Sequence, residues 1–454
     1  MNKKERKLLE KAFRDSCNYR DSLNNRRVFP DTHMLNDMKR LDFALPEKPN
    51  DPEKILDLLS SAGSQGTNAV AGPRYFGFVI GGSTPVTLAA NWLSGAWDQN
   101  CGMDTTSPVA AFVEEISLRW LLQLFGFPAT CGGAFVTGAT LAGFTCLAAA
   151  RSHLLSRQGW NVEKQGLFGA PTINVIVSEE AHMTILKAFS MLGMGSERVT
   201  KVPTDNMGRM LIDKIPKPKG PTIICVQAGD VNSGCFDPID EIIKKSKSDD
   251  VWIHVDGAFG LWVLVSSRYK HLGQGIEKAD SWSVDAHKWL NVPYDSGIAL
   301  VKDAEALRSA MSISASYITS TPGKRQPIEY TPELSRRARG VEIWTAIASL
   351  GRKGIAEIVE RTCAHAQNAA KRLTDAGYEI LNDVVINQVL VSFGSTEKTE
   401  KVIKAIQEDG TCWCGGTKWK GRTAMRISIC NWATTDEDMD KSLDAIIRCA
   451  NGID

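Results

Sequence analysis

Between residues 173 and 284 the chain alternates short apolar runs with helix-patterned segments. The runs fall at 173–177, 199–202, 222–227 and 252–255, with helical stretches near 182–192 and 239–246. They are continuous apolar segments rather than alternating ones, as expected of strands covered on both faces. Strands joined through helices call for crossover connections, so this pattern predicts an α/β domain with a mainly parallel sheet. In such sheets ligands sit outside the carboxyl ends of the strands.

Polar residues stand where that rule places chemistry. His182 follows Ser178-Glu179-Glu180-Ala181, Asp256 ends the run 252–255 within HVDGAFG, and Lys288 follows 282–284 within SVDAHKW. A lysine ordinarily keeps its ammonium in water, and Lys288 is flanked instead by His287, Trp289 and Leu290. A desolvated lysine loses its proton more readily and can form a Schiff base with an aldehyde. The alternative is a lysine at a strand end beside a buried tryptophan. Asp256 leaves an apolar strand and needs a partner, for which a protonated heterocyclic nitrogen is suited. Its alternative is a cap on the following helix.

Upstream, the run 134–136 breaks at Thr137-Gly138-Ala139-Thr140 and gives way to an alanine-rich helix ending near Leu155. Such a turn gathers backbone N–H groups and hydroxyls at the positive end of a helix dipole, which makes a phosphate seat. An N-capping threonine without a ligand explains the same residues.

The remaining segments constrain less. Residues 2–51 suit short amphipathic helices and an arm against a partner subunit, and Asp51-Pro52 and Ser107-Pro108 open further helices. Tyr75, Phe76 and Phe78 beside Gly81-Gly82 fit a cavity wall or ordinary core. Residues 316–337 read as a long loop that carries Tyr317 and Tyr330, the titratable side chains that it could bring to a site. Arg336, Arg337 and Arg339 fit solvated charge or subunit ion pairs. A helix from about residue 343 past His365 leads to a compact C-terminal α+β domain with a βαβ-like tail and a last helix capped at residues 434–437.

Charge and cysteine usage exclude several classes. With 53 Lys and Arg against 52 Asp and Glu among 454 residues, no global field favours nucleic acid or an anionic membrane. No apolar run reaches the roughly 18 residues of a membrane span, and the charged N-terminus is not a secretory signal. The eleven cysteines are scattered, and the pair Cys412 and Cys414 alone is no metal site, so none is expected. A soluble protein of the reducing cytoplasm is expected.

Taken in order, TGAT opening a helix, SEEAH, HVDGAFG, DAHKW, ELSRRAR and MRISICNWATT resemble the pyridoxal-phosphate-dependent group II amino-acid decarboxylases, the family of the aromatic-amino-acid and glutamate decarboxylases. The resemblance runs from about residue 35 to 450. It implies the aspartate-aminotransferase-like fold (fold type I), pyridoxal 5'-phosphate as cofactor and a homodimer. It also implies that Lys288 bonds the cofactor aldehyde, Asp256 pairs with the ring nitrogen, His182 stacks on the ring and Ala258 packs on the opposite face. Gly138, Ala139 and Thr140 would hold the phosphate with His287 nearby and Ser283 or Asp285 beside it, and Tyr330 would be the loop acid that returns a proton. Three positions depart from the family pattern: Gly143 stands for a common Asn, and Asp230-Val231 for a frequent Thr-Thr.

The expected reaction is decarboxylation of an L-amino acid, with an aromatic or apolar side chain favoured by the patch at Tyr75–Phe78. The alternatives are an aminotransferase that grips its substrate through Arg426, a carbon–carbon lyase of the same fold, and a non-catalytic dimeric scaffold. The expected domains are an N-terminal helical arm at 1–50, a large cofactor-binding α/β domain at 51–342, and a small C-terminal α+β domain at 343–454.

Overall fold

A computed structural model describes residues 1–312, 321 and 323–453, so Tyr317 lies outside the described residues. The chain divides into two compact units: residues 83–364 with 382–388, and residues 1–82 with 365–381 and 389–454.

The large unit is built on a seven-stranded sheet. Its strands are β1 (Gly132–Val136), β2 (Asn174–Ser178), β3 (Thr200–Val202), β4 (Thr222–Gln227), β5 (Val251–Asp256), β6 (Ser281–Asp285) and β7 (Gly297–Val301). They lie in the order β1-β7-β6-β5-β4-β2-β3. The pairs from β3 through β6 are parallel, and β7 is antiparallel to both β6 and β1. Every residue of β1, β4, β5, β6 and β7 is buried, which accounts for the continuous apolar runs in the sequence. Two antiparallel neighbours in succession leave β1 running in the direction of β6. The segments that follow β1, β2, β4, β5 and β6 therefore all emerge at one edge.

The helix Ala139–Arg157 covers the sheet from one face. Its buried residues are mostly small, among them Ala142, Gly143, Ala148, Ala149 and Ala150, so its backbone lies close to the strands. Leu147, Leu154, Val177, Ile223, Val301 and Phe189 fill the same core. Ser107 caps the helix Pro108–Phe125 and Gly126 ends it in a left-handed conformation. The long helix that begins at Gly340 breaks at Gly351, where φ is 59°.

The small unit holds a second sheet, formed by β8 (Glu379–Ile380), β9 (Gln388–Ser392), β10 (Gly415–Trp419) and β11 (Arg422–Ser428), in the order β10-β11-β9-β8. β10 and β11 form an antiparallel hairpin, β8 pairs antiparallel with β9, and the helix Thr396–Asp409 links β9 to the hairpin whose β11 lies beside it, the strand-helix-strand order read in the tail. The last helix, Asp436–Asn451, starts in a capping box of Thr435 and Asp438. The sequence placed domain boundaries after residues 50 and 342, whereas residues 1–82 pack with the C-terminal segment. Val28 N–H donates to Gly410 O at 2.8 Å and Phe76 N–H to Trp413 O at 2.9 Å. The Arg74 guanidinium reaches Thr411 O and pairs with Asp438. These partners are distant in sequence, and the irregular backbone near residue 75 needs them because its own polar groups have no helix to join.

Candidate active site

Lys288 stands three residues beyond β6, in a turn held from several sides. Ala286 N–H and His287 N–H both donate to Ser296 O, and Asn291 N–H donates to Lys288 O. The Trp289 indole is fully buried and donates to Thr362 Oγ1 at 2.9 Å, and Trp262 Nε1 donates to Asp285 O at 3.0 Å. The flanking tryptophan therefore fixes the turn, while the lysine side chain stays 19% exposed. Its Nζ lies 3.0 Å from Asp285 Oδ2 and 5.9 Å from the centroid of the Phe259 ring.

The turn Thr137-Gly138-Ala139-Thr140 meets this lysine through Asp285. Ala139 N–H donates to Asp285 Oδ1 at 2.6 Å. Gly138 caps the helix Ala139–Arg157, whose first turn leaves its N–H groups without intrahelical acceptors. Close approach is built in here: a Cβ on Gly297 would lie 2.4 Å from Gly138 Cα, and one on Gly138 would lie 3.2 Å from His287 Cε1. The His287 ring stacks on Tyr294 with centroids 4.2 Å apart. Its Nδ1 accepts from Ser296 N–H at 3.0 Å, so Nε2 carries the proton, 3.6 Å from Asp285 Oδ1. Burial lowers the His287 pKa, against the raising effect of Asp285, which favours a neutral donor beside the helix start.

Asp256 ends β5 and is nearly fully buried. Burial pushes its carboxyl up, opposed by His182 and Lys288 nearby. The turn beyond it is stitched to β6: Gly257 N–H donates to Ser283 O at 3.0 Å, and Asp285 N–H to Ala258 O at 2.8 Å. Ala258 N–H donates back to Asp256 Oδ1 at 3.2 Å, which is a local turn rather than the cap of an α-helix. His182 caps the helix Met183–Met191, with Nδ1 2.8 Å from Thr184 Oγ1.

Ser283 points toward the neighbouring strand. Its Oγ lies 3.4 Å from His254 Nε2, and His254 Nδ1 lies 2.9 Å from Ser281 Oγ. Burial lowers the pKa of His254 to about 3, so a neutral imidazole braces the strands beneath Asp256. Gln227, the last residue of β4, is the register partner of Asp256, and its Nε2 is buried without a hydrogen-bond partner among the described residues. The sequence shows Gln227 only as a strand end; its unmet donor emerges from the packing.

Other candidates lie elsewhere. Tyr330 sits under the Arg325 guanidinium, 4.3 Å from its ring centroid, and lines a cavity of about 370 Å³ with Gly132, Cys131 and Ala304. That is the start of β1, opposite the end that leads to Gly138, so within this chain Tyr330 does not join Lys288. Arg336 is buried rather than solvated, because it pairs with the buried Glu114 at 2.6 Å and donates to Phe135 O at 3.0 Å. Arg339 pairs with Asp295 at 2.9 Å and Arg337 with Glu342. Tyr75 and Phe76 are core residues of the small unit, while Phe78 is 62% exposed and stacks on Trp413. Among the described residues no group of three His, Cys, Asp or Glu is placed to hold a metal ion.

The arrangement fits pyridoxal phosphate by its donor set: an amine, a glycine-lined helix start beside a neutral imidazole donor, a buried carboxylate and a buried amide with an unmet donor. The family model of the pyridoxal-dependent decarboxylase conserved domain matches residues 35–395. The chain is 26% identical to an aromatic-L-amino-acid decarboxylase of Bacillus atrophaeus over 422 residues, which is 88% of this chain and 86% of that protein. It is 29% identical to the human acidic amino acid decarboxylase GADL1 over 340 residues, 71% of this chain but only 64% of that longer protein. Among solved structures, Oryza sativa TDC with PLP and tryptamine superposes with a TM-score of 0.91 at 19% identity, covering 100% of this chain and 99% of that one. Catharanthus roseus tryptophan decarboxylase in complex with L-tryptophan superposes at 0.87 with 20% identity, covering 100% and 99%. These likenesses and the site agree: the chain belongs to the pyridoxal-dependent decarboxylase family, has the type I fold, and is a pyridoxal-phosphate-dependent amino-acid carboxy-lyase.

Proposed function

We propose that this enzyme removes the α-carboxylate of an aromatic L-amino acid and works as a homodimer in the cytoplasm. Bound pyridoxal phosphate supplies the electron sink that accepts the pair left when carbon dioxide departs. Lys288 would hold the cofactor through its aldehyde. Asp256 keeps the ring nitrogen protonated, a role suited to a buried carboxylate that needs a cationic partner. His182 would cover one ring face and Ala258 the other. The N–H groups of Gly138 and Thr140 and the Nε2–H of His287 would hold the phosphate, while the Ala139 N–H stays on Asp285, and this would fix the ring relative to Lys288. Ser283 acts behind Asp256 through His254.

The observation that carries the aromatic reading is the length of the match to the aromatic-L-amino-acid decarboxylase, which spans nearly all of both chains. Purified enzyme with pyridoxal phosphate, offered aromatic, aliphatic and acidic L-amino acids, is expected to release carbon dioxide and the matching amine from the aromatic ones. Turnover confined to aspartate or glutamate would overturn the substrate class.

The homodimer is supported by apolar side chains exposed on two neighbouring helices of the large unit. Leu93 and Trp97 on Pro85–Trp97, and Val109 and Phe112 on Pro108–Phe125, are 55%, 45%, 44% and 64% exposed. Sedimentation as a monomer at micromolar concentration would contradict it. The cytoplasmic placement rests on eleven cysteines that form no disulfide among the described residues, which suits a reducing compartment.

A further inference from the structure

Sheet order constrains how a pyridoxal ring can lie against this site. The ring nitrogen stands opposite the carbon that bears the aldehyde. The phosphate arm and the 3-hydroxyl occupy the two carbons flanking that one. Here the anion seat belongs to the β1, β7 and β6 side, with Gly138 packed on Gly297 and His287 just beyond β6. The carboxylate for the ring nitrogen ends β5. With those two anchors fixed, the hydroxyl edge of the ring faces the next strand, β4. β4 ends in Gln227, Cα partner of Asp256 and adjacent to it at the usual spacing of about 4.8 Å between strands.

Gln227 is 6% exposed, and its Nε2 is buried with no hydrogen-bond partner among the described residues. Such an orphan is costly in a folded protein and calls for a ligand or another explanation. The residue is also held in place. Asp237 Oδ2 accepts the Gln227 N–H at 2.7 Å, and Asp237 N–H donates to Gln227 O at 3.0 Å. A backbone fixed on both sides leaves the side chain little freedom to turn its amide away.

We propose that Gln227 Nε2–H is the donor to the 3-hydroxyl oxygen of pyridoxal phosphate. This rests on the cofactor assignment and extends it to a fourth anchor, after Lys288, Asp256 and the phosphate seat. An amide N–H favours the deprotonated hydroxyl, because a donor binds an anionic oxygen more strongly than a neutral one. Gln227 thus both orients the ring and sets the pH at which that hydroxyl loses its proton.

The test is cofactor titration followed by absorbance, with the Gln227→Met variant, which retains bulk and lacks the donor. Gln227→Met is expected to bind pyridoxal phosphate about tenfold more weakly, the effect of losing one charge-assisted hydrogen bond. Its near-ultraviolet and visible bands should titrate at higher pH than those of the unmodified enzyme. The melting temperature of the cofactor-free variant should equal or exceed that of the unmodified protein, since an unpaired amide leaves the interior. A cofactor analogue without the 3-hydroxyl should bind the variant and the unmodified enzyme equally. Equal affinity of the two proteins for pyridoxal phosphate, or the same loss with the analogue, would overturn the proposal. If Gln227→Met does not fold, the unmodified enzyme still decides: losing the hydroxyl from the cofactor must weaken binding about tenfold. A failure of the unmodified enzyme to bind pyridoxal phosphate at all would overturn the cofactor assignment itself, a result distinct from an undisturbed Gln227→Met.

Discussion

The Lys288 Nζ stands 3.0 Å from Asp285 Oδ2, while the other oxygen of that carboxylate takes the Ala139 N–H at 2.6 Å. One side chain, 3% exposed, thus joins the lysine to the start of the phosphate-side helix. Asp285→Ala leaves the lysine unpaired and the N–H without an acceptor, and is expected to destabilise the cofactor-free protein by about 3 kcal/mol. Asp285→Asn keeps an acceptor for Ala139 and should cost about half as much. Denaturant unfolding measures both, and an asparagine variant no more stable than the alanine one would contradict the bridging role.

Gly297 is where the antiparallel strand β7 crosses beneath the phosphate turn. A methyl group there would lie 2.4 Å from Gly138 Cα, and backbone on both sides cannot yield as a flexible side chain would. Gly297→Ala is expected to push the turn out of register and to weaken pyridoxal phosphate binding more than tenfold. Gly138→Ala meets His287 Cε1 at 3.2 Å and should have the smaller effect, because a ring can shift by a few tenths of an ångström. Cofactor titration of the two variants gives the order, and the reverse order would show that Gly297 does not shape the seat.

What the sequence reveals of this site is what strand ends reveal. His182, Asp256 and Lys288 each follow an apolar run, and the glycine turn after β1 precedes a helix, so local pattern places all four at one sheet edge. Tyr330 and the arginines resist that reasoning because their partners are remote. Arg336 meets Glu114 across 222 residues, and nothing local to either shows the pair. Residues 1–82 read as an arm and further helices because their backbone partners, Gly410 and Trp413, lie at the other end of the chain. Gln227 carries no local mark at all, since an unmet donor is a property of packing.

Glu114 is a fully buried carboxylate between two arginines, 3.0 Å from Arg325 and 2.6 Å from Arg336. Burial alone would raise its pKa, but Arg336 and Arg325 together outweigh burial and hold it below the ordinary carboxylate value. Its folded pKa is depressed, so its contribution is present above the unfolded value of about 4.3 and is lost as pH falls below it. Glu114→Gln should destabilise the protein by about 3 kcal/mol at neutral pH and less in acid, where the unmodified carboxylate also becomes neutral. An equal deficit from pH 7 down to pH 3 in chemical denaturation would refute this account.

Asp237 has the opposite sign. It accepts the N–H groups of Met210 and Gln227, both at 2.7 Å, yet burial outweighs these bonds and lifts its carboxyl to about 7. A raised folded pKa means that the fold holds a proton that the unfolded chain releases at about pH 3.9. The stabilisation is full below that value, declines as pH rises toward 7, and is gone once the folded carboxyl ionises. Asp237→Asn removes the titrating group at the cost of one acceptor, which should lower stability by about 1–3 kcal/mol in mild acid. The gap between the two proteins is expected to narrow from pH 4 to pH 7, as the native carboxylate takes on the cost of a buried charge. Unfolding free energies of both proteins at half-unit steps of pH measure that gap; a constant gap, or one that widens toward neutrality, would show that Asp237 ionises normally in the fold.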